Sequence, residues 1–361
     1  MEAARWTDSG LAHDVGMLCF VTGAGLHFPL CGLPAHLGES PTMSQQHPII
    51  AVTGSSGAGL STIRHAFKFI FERLNIKPAI VHGDGFRRYT ERQFAALLEE
   101  ARASGRNISW FGPECNHFQE LESFFRTYGE CGSGVVRQYA HTAEHGEELG
   151  VQAGEFTPWA PLPLGSDLLF YEGQHGGLMA NTWTRRKVDS RHFPPEIDRR
   201  AGRPGIDVAQ HVDLLIGVAP AINLEWIQKI HRDCKKGTCT PEESVETILR
   251  RMDDYIHYIV PQFGLTDINI QRIPLVDTSD PFIARDVPLP DESLCVIHFR
   301  DRERHDFPDL LRRIPDAQMS RPSTMLIPSK SLRLALGVIC GPILAGFMDA
   351  RIGELGSVLE S

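Results

Sequence analysis

Three glycines punctuate the run Gly54, Ser55, Ser56, Gly57, Ala58, Gly59, Leu60, Ser61, Thr62. Such a turn folds tightly and aims backbone N–H groups inward, which suits an anion such as a phosphate. Ser61 stands where a hydroxyl would hold Mg2+. The spacing follows G-x-x-x-x-G-K-[ST], except that Leu60 occupies the lysine position. A glycine-rich strand-to-helix turn with no ligand is the plainer reading of the loop alone. Two acids extend the chemistry. Asp84 closes the run 77–83, and Glu172 follows the apolar run 168–171. Phosphoryl transfer needs one carboxylate to organise Mg2+ and another to accept the proton of the attacking hydroxyl. Glu172 suits the first task and Asp84 the second. A solvent-facing strand-terminal acid is the plainer alternative for Glu172. The cations come in two groups: Arg87 and Arg88 after Asp84, and Lys229, Arg232, Lys235 and Lys236 further on. A guanidinium fork matches a phosphate ester, and an ammonium acts as a point charge. Together they suggest a substrate that itself carries phosphate. A solvated charge run is the alternative for Lys235 and Lys236.

These residues need elements to hold them. Residues 49–52 read as a short buried strand, and Phe67, Ile70, Phe71 and Leu74 continue at helical spacing behind the loop. Residues 77–84 and 167–173 read as strands that end in Asp84 and Glu172. Residues 212–218, 273–278 and 295–299 are further strands. Helices are expected over 90–104 and over 116–128, the latter with an aromatic core stripe, and a mixed apolar and charged run of 223–233 follows the strand at 212–218. Another helix runs from 241 to 259, capped by Thr240 with Pro241 in its first turn. Residues 129–163 are turn-rich with no strong helix signal. Residues 332–348 form an apolar helix with a kink or break at Pro342, suited to burial or a subunit contact. Alternating strands and helices predict an α/β fold, a mixed, largely parallel sheet flanked by helices. In such sheets ligands bind at the carboxyl ends of the strands.

The chain has 361 residues, 42% of them apolar, enough for a sizeable core. A net charge of −9 argues against a general nucleic-acid or anionic-membrane binder. Eight cysteines lie scattered without C-x-x-C pairs, which fits a reducing cytoplasm. Residues 1–42 carry no motif, lack the basic run of a secretory signal, and precede Met43. They read as a disordered or wrongly assigned extension, with 43–361 as a single domain built around the phosphoryl-transfer residues. Arg185, Arg186, Lys187, Arg191, Arg199, Arg200 and Arg203 make a basic insertion of 179–208, read as an exposed loop.

The stretches HPIIAVTGSSGAG, GDGFRR, LLFYEGQHGG, HVDLLIGVAPAINLEWIQKIHRD, ILRRMDDYIHYIVPQF, TDINIQRIPLVDTSDPFIAR and MSRPSTMLIPSK resemble bacterial phosphoribulokinases. The resemblance spans about 47–345 and implies a P-loop NTPase-like fold. It implies transfer of phosphate from ATP, with Mg2+, to D-ribulose 5-phosphate in the Calvin cycle. By motif, Asp84 would be the base, Glu172 the metal-organising acid, and Lys229, Arg232 and Asp233 a catalytic stretch. Residues 54–62 would bind ATP, and Arg87, Arg88, Arg232 and Lys236 the sugar phosphate. The class also implies a homo-oligomer tuned by NADH and AMP, with Arg73 and Arg251 at positions linked to that control. Leu60, Arg87, Glu91 and Lys236 depart from the family pattern. Two alternatives are a uridine kinase-like enzyme and a nucleotide-binding regulatory protein without catalysis.

Overall fold

The computed structural model describes residues 47–54, 60–179, 205–235, 239–282 and 286–359. Residues 1–42, most of the basic insertion, loop residues 55–59 and Lys236 therefore lie outside the described residues. In chain order the strands are Ile49–Gly54 (β1), Pro78–His82 (β2), Val135–Val136 (β3), Ala160–Pro161 (β4), Leu168–Gly173 (β5), Leu214–Pro220 (β6), Ile268–Pro274 (β7), Ser293–Phe299 (β8), Gln318–Arg321 (β9) and Thr324–Pro328 (β10). The helices are Leu60–Leu74 (α1), Glu91–Ala103 (α2), Phe118–Cys131 (α3), Ala143–Leu149 (α4), Ile222–Lys235 (α5), Pro241–Arg250 (α6), Met252–Asp254 (α7), Val260–Phe263 (α8), Phe307–Arg313 (α9) and Leu332–Leu359 (α10).

Eight strands form one sheet in the order β2-β5-β1-β6-β7-β8-β10-β9. The pairs from β2 through β7 are parallel, and β8, β10 and β9 add antiparallel pairs. The expected mixed, largely parallel sheet is what forms. Every residue of β1 is buried, because both faces of a central parallel strand are covered by helices. On one face Ile63, Phe67, Ile70 and Phe71 of α1 meet Leu336, Ile339, Cys340 and Leu344 of α10 over Ile50, Val52 and Phe170. On the other, Phe118, Leu121, Phe124, Phe125 and Tyr128 of α3 cover Ile49, Ala51 and Tyr171. The aromatic stripe of α3 is core, as its spacing predicts.

Three readings are corrected. Residues 129–163 contain α4, capped by Thr142, and the β3–β4 pair. The helix from 241 does not run evenly to 259: α6 ends at Arg250, and a π-helical turn spans Tyr255–Ile259 before α8. Pro261 has no N–H to donate to an i−4 carbonyl, which accounts for the widened turn before it. Pro342 does not end α10, which runs from Leu332 to Leu359. The residues flanking Pro342 are pinned to the core on both sides, offsetting one missing hydrogen bond. Residues 329–351 are long and apolar enough to cross a bilayer, yet one face of this helix fills the core described above. The cap of α6 forms as expected: Thr240 Oγ1 accepts from the Glu243 N–H at 3.3 Å, and Glu243 Oε2 accepts from the Thr240 N–H at 2.8 Å.

Candidate active site

Parallel register brings the two acids together. His82 pairs with Glu172, and Val52 pairs with Glu172 on its other side. The chain leaves β2 through a 3-10 turn, Gly83–Phe86, which carries Asp84. The turn sits close to its neighbour: a Cβ on Gly83 would meet the Tyr171 hydroxyl at 2.4 Å and the Gly173 Cα at 3.0 Å. Only glycine fits there.

Asp84 is engaged at both oxygens. Arg87 lies 2.5 Å from Oδ1, and His141 Nε2 lies 2.9 Å from Oδ2. Burial pushes this carboxyl up, but Arg87 and His141 outweigh it and hold it at about 2. Glu172 differs. Burial raises its pKa, and Arg64 at 3.5 Å opposes the shift. Its Oε2 is buried without a hydrogen-bond partner. A buried carboxylate oxygen that takes no hydrogen bond and has the Arg64 Nε at 3.5 Å, at a strand end next to where β1 hands over to α1, fits a Mg2+ ligand. Of the phosphate loop, Gly54 ends β1 and Leu60 begins α1, with Thr62 exposed in its first turn.

The turn bearing Asp84 is clamped from outside. Arg137 Nε donates to the Gly85 carbonyl at 2.8 Å, and its Nη2 donates to the Arg87 carbonyl. Its guanidinium lies over Phe156 at 3.9 Å and Trp159 at 4.7 Å. A Cβ on Gly85 would sit 2.1 Å from the Arg137 carbonyl oxygen. Arg88 Nε donates to the Asn116 carbonyl at 3.0 Å, so part of that side chain is structural. Neither Arg137 nor His141 is visible as a site residue from sequence, because the segment between α3 and β5 has no periodic signal. A histidine two residues from Tyr139 is the only cue.

The second cluster is helical. Lys229 Nζ bonds Asp233 Oδ2, and Arg232 Nε lies 3.5 Å from Asp233 Oδ1. Burial, then Arg251, lowers the Lys229 pKa, whereas Lys229 overrides burial to lower that of Asp233. Arg251 is held down to about 10 by burial. It lines a small cavity with Lys229, Phe111, Trp226 and Tyr255. Arg73, by contrast, is exposed in the last turn of α1. Two consecutive residues contact one cation of each cluster: Arg87 lies 4.9 Å over Trp110, and Arg251 lies 5.3 Å over Phe111.

Behind the site, Gln262 is fully used. Its Oε1 accepts from Thr53 Oγ1 and the Gly177 N–H, both at 2.8 Å. Its Nε2 donates to the Gln174 and Tyr258 carbonyls, also at 2.8 Å. One amide thus ties β1, the turn after β5 and the π-helical turn together.

A phosphate-loop sheet with two strand-end carboxylates and facing cations is the arrangement of a kinase. Residues 49–279 match the Phosphoribulokinase / Uridine kinase family, and the chain belongs to it. It is 44% identical over 310 residues to the chromosomal phosphoribulokinase of Cupriavidus necator, covering 86% of this chain and 98% of that one. The phosphoribulokinase of Nitrobacter vulgaris is also 44% identical over 310 residues, covering 86% of this chain and 99% of that one. A solved phosphoribulokinase from Rhodobacter spheroides superposes with a TM-score of 0.73 at 41% identity, covering 85% of this chain and 99% of that one.

Proposed function

We infer that this chain is a phosphoribulokinase, moving the γ-phosphoryl group of ATP to ribulose 5-phosphate to give ADP and ribulose 1,5-bisphosphate. The observation that carries the reading is Asp84, an ionised carboxylate at a strand end, set beside Arg87 and one strand from Glu172. Asp84 takes the proton from the sugar hydroxyl as that oxygen reaches phosphorus. Arg87, with Arg88, faces the phosphate already on the substrate. Lys229 and Arg232 neutralise charge that builds on the transferred group, and Asp233 holds both in place. Glu172, with the Ser61 hydroxyl, would hold Mg2+, which when bound neutralises the β- and γ-phosphate oxygens.

The finer reading places the reaction in the Calvin cycle, in the cytoplasm, in a homo-oligomer activated by NADH. Arg251 supports a regulatory link, since it shares a cavity with Lys229. No nucleic acid or membrane partner enters this reading, given the acidic net charge of −9 and the packed face of α10. The test is a coupled assay of ATP turnover on a panel of ribulose 5-phosphate, uridine and other sugar phosphates, with and without NADH. Turnover on ribulose 5-phosphate alone is expected. Turnover on uridine would favour the uridine kinase-like reading, and ATP binding without turnover would favour a regulatory protein.

A further inference from the structure

We propose that His141 is a positioning residue for the base, holding the Asp84 carboxylate by its Oδ2 while Arg87 holds Oδ1. The inference rests on Asp84 acting as base and adds the group that sets its orientation. His141 Nε2 lies 2.9 Å from Oδ2. An ionised carboxylate only accepts, so Nε2 carries the hydrogen. Two of the roughly four acceptor positions of the carboxylate are then filled, one on each oxygen. Rotation of the group is blocked, and the remaining lone pairs point in fixed directions toward the site.

The imidazole is itself delivered by a ladder. After β3, the Gln138 N–H donates to Thr157 Oγ1 at 3.0 Å, and the Thr157 N–H donates to the Gln138 carbonyl at 2.9 Å. The Ala140 N–H donates to the Glu155 carbonyl at 3.0 Å, and the Gly154 N–H donates to the Ala140 carbonyl at 2.7 Å. The Tyr139 ring then meets the imidazole edge at 4.9 Å between centroids. A surface ion pair contributes little when its side chains are free to wander. Here one partner sits in the tight turn that follows a sheet strand and the other is fixed by a hairpin, so the contact sets geometry. Misplacing a reacting group by about 1 Å can cost about 100-fold in rate.

The other groups facing Asp84 are His82 on β2, Tyr171 and Glu172 on β5, His175 in the turn beyond, and Tyr139 beside His141. Among the described residues, none of them donates a second hydrogen bond to Oδ2. Removing the imidazole therefore removes, after Arg87, the next of the groups that favour the ionised carboxyl, and leaves Arg87 and the more weakly acting His82. The acid limb of kcat/KM must then move to higher pH.

The test compares His141→Ala and His141→Gln with the wild type in the full-length enzyme. His141→Ala is expected to lower kcat by about 10–100-fold, leave both KM values nearly unchanged, and move the acid limb upward. His141→Gln, whose amide N–H can reach the same oxygen, is expected to restore most of kcat. Unchanged kcat in the alanine variant overturns the proposal. So does a rise in KM for the sugar phosphate with kcat intact, which would make His141 a substrate contact. Glutamine no better than alanine, with the acid limb unmoved, overturns it as well. Nitrogen-15 NMR of the wild type adds a readout independent of turnover: Nε2–H on His141 is expected, and an Nδ1–H tautomer overturns the proposal. Failure of the wild type to use ribulose 5-phosphate would instead count against the proposed function.

Discussion

The Asp84 turn and the Lys229 cluster carry complementary charges but are built differently. Asp84 leaves a strand of the main sheet, and its turn is held by two Arg137 hydrogen bonds to backbone carbonyls. Gly83 and Gly85 admit neighbours too close for any side chain. Lys229, Arg232 and Asp233 instead sit along α5, where Lys229 and Arg232 both pair with Asp233 and Ser244 Oγ of α6 lies 3.5 Å from the Asp233 Oδ2. Their partner segment, α6 to α8, changes helical register twice before Gln262 anchors it. One half of the site is fixed by backbone packing, whereas the other is set by side-chain pairing on a helix. The first suits a base that must meet one hydroxyl. The second suits cations that follow charge as it moves onto a transferred group.

That contrast makes predictions, the largest first. Asp84→Asn keeps the shape and removes the base, so kcat is expected to fall by about 10²–10⁴-fold, with KM changed far less. Steady-state kinetics at saturating Mg2+ measures it. The same variant has a pH signature. The carboxyl lies at about 2 in the folded chain against an ordinary 3.8. Its pairing therefore stabilises the fold above roughly pH 4, and that contribution is lost as the pH falls toward 2. Urea midpoints of the wild type should fall in this window by more than those of Asp84→Asn.

Lys229→Met should cost about 10²–10³-fold in kcat. If the helical cluster only binds substrate, KM will rise in place of the loss in kcat, and the contrast drawn above fails. Glu172→Gln should raise the Mg2+ concentration for half-maximal rate about tenfold and leave Asp84 working. Near-normal kcat in Asp84→Asn with a shifted Mg2+ dependence would show the two acids assigned the wrong way round.

Gln262→Leu tests what joins the halves. It strands the Gly177 N–H, which costs about 1–3 kcal/mol when buried unpaired, and leaves the Thr53 hydroxyl its longer bond to the Gln174 carbonyl at 3.2 Å. A lower urea midpoint is expected, with α6 to α8 exchanging amide hydrogens faster than β1 and β5. Equal protection across both halves would remove the distinction. The smallest effect is at the amino end: a chain beginning at Met43 should keep full kcat and solubility.

Much of this was readable from residue order because it depends on local rules. Strand, glycine turn and amphipathic helix are short-range patterns, so β1, α1 and the ends of β2 and β5 follow from periodicity. Asp84 and Glu172 stand out because an acid closing an apolar run is unusual whatever surrounds it. Thr240, Pro241 and Glu243 announce their helix start in four residues, and the cap forms as written. The fragments around Lys229 and Phe282 carried the family resemblance.

Long-range pairing decided the rest. No local pattern places His141 on Asp84, since the contact requires β3 and β4 to pair and α3 to pack before the hairpin can reach the turn. Nothing local marks Arg137 out; its place is set by Phe156 and Trp159, which its guanidinium overlies. Pro342 reads as a kink or break, because a missing N–H is a local fact. The burial of Leu336, Ile339, Cys340 and Leu344 that carries α10 through it depends on α1, far away in the chain. Residue order sets which groups are available to do chemistry. Packing free energy, summed over elements distant in sequence, sets which of them meet.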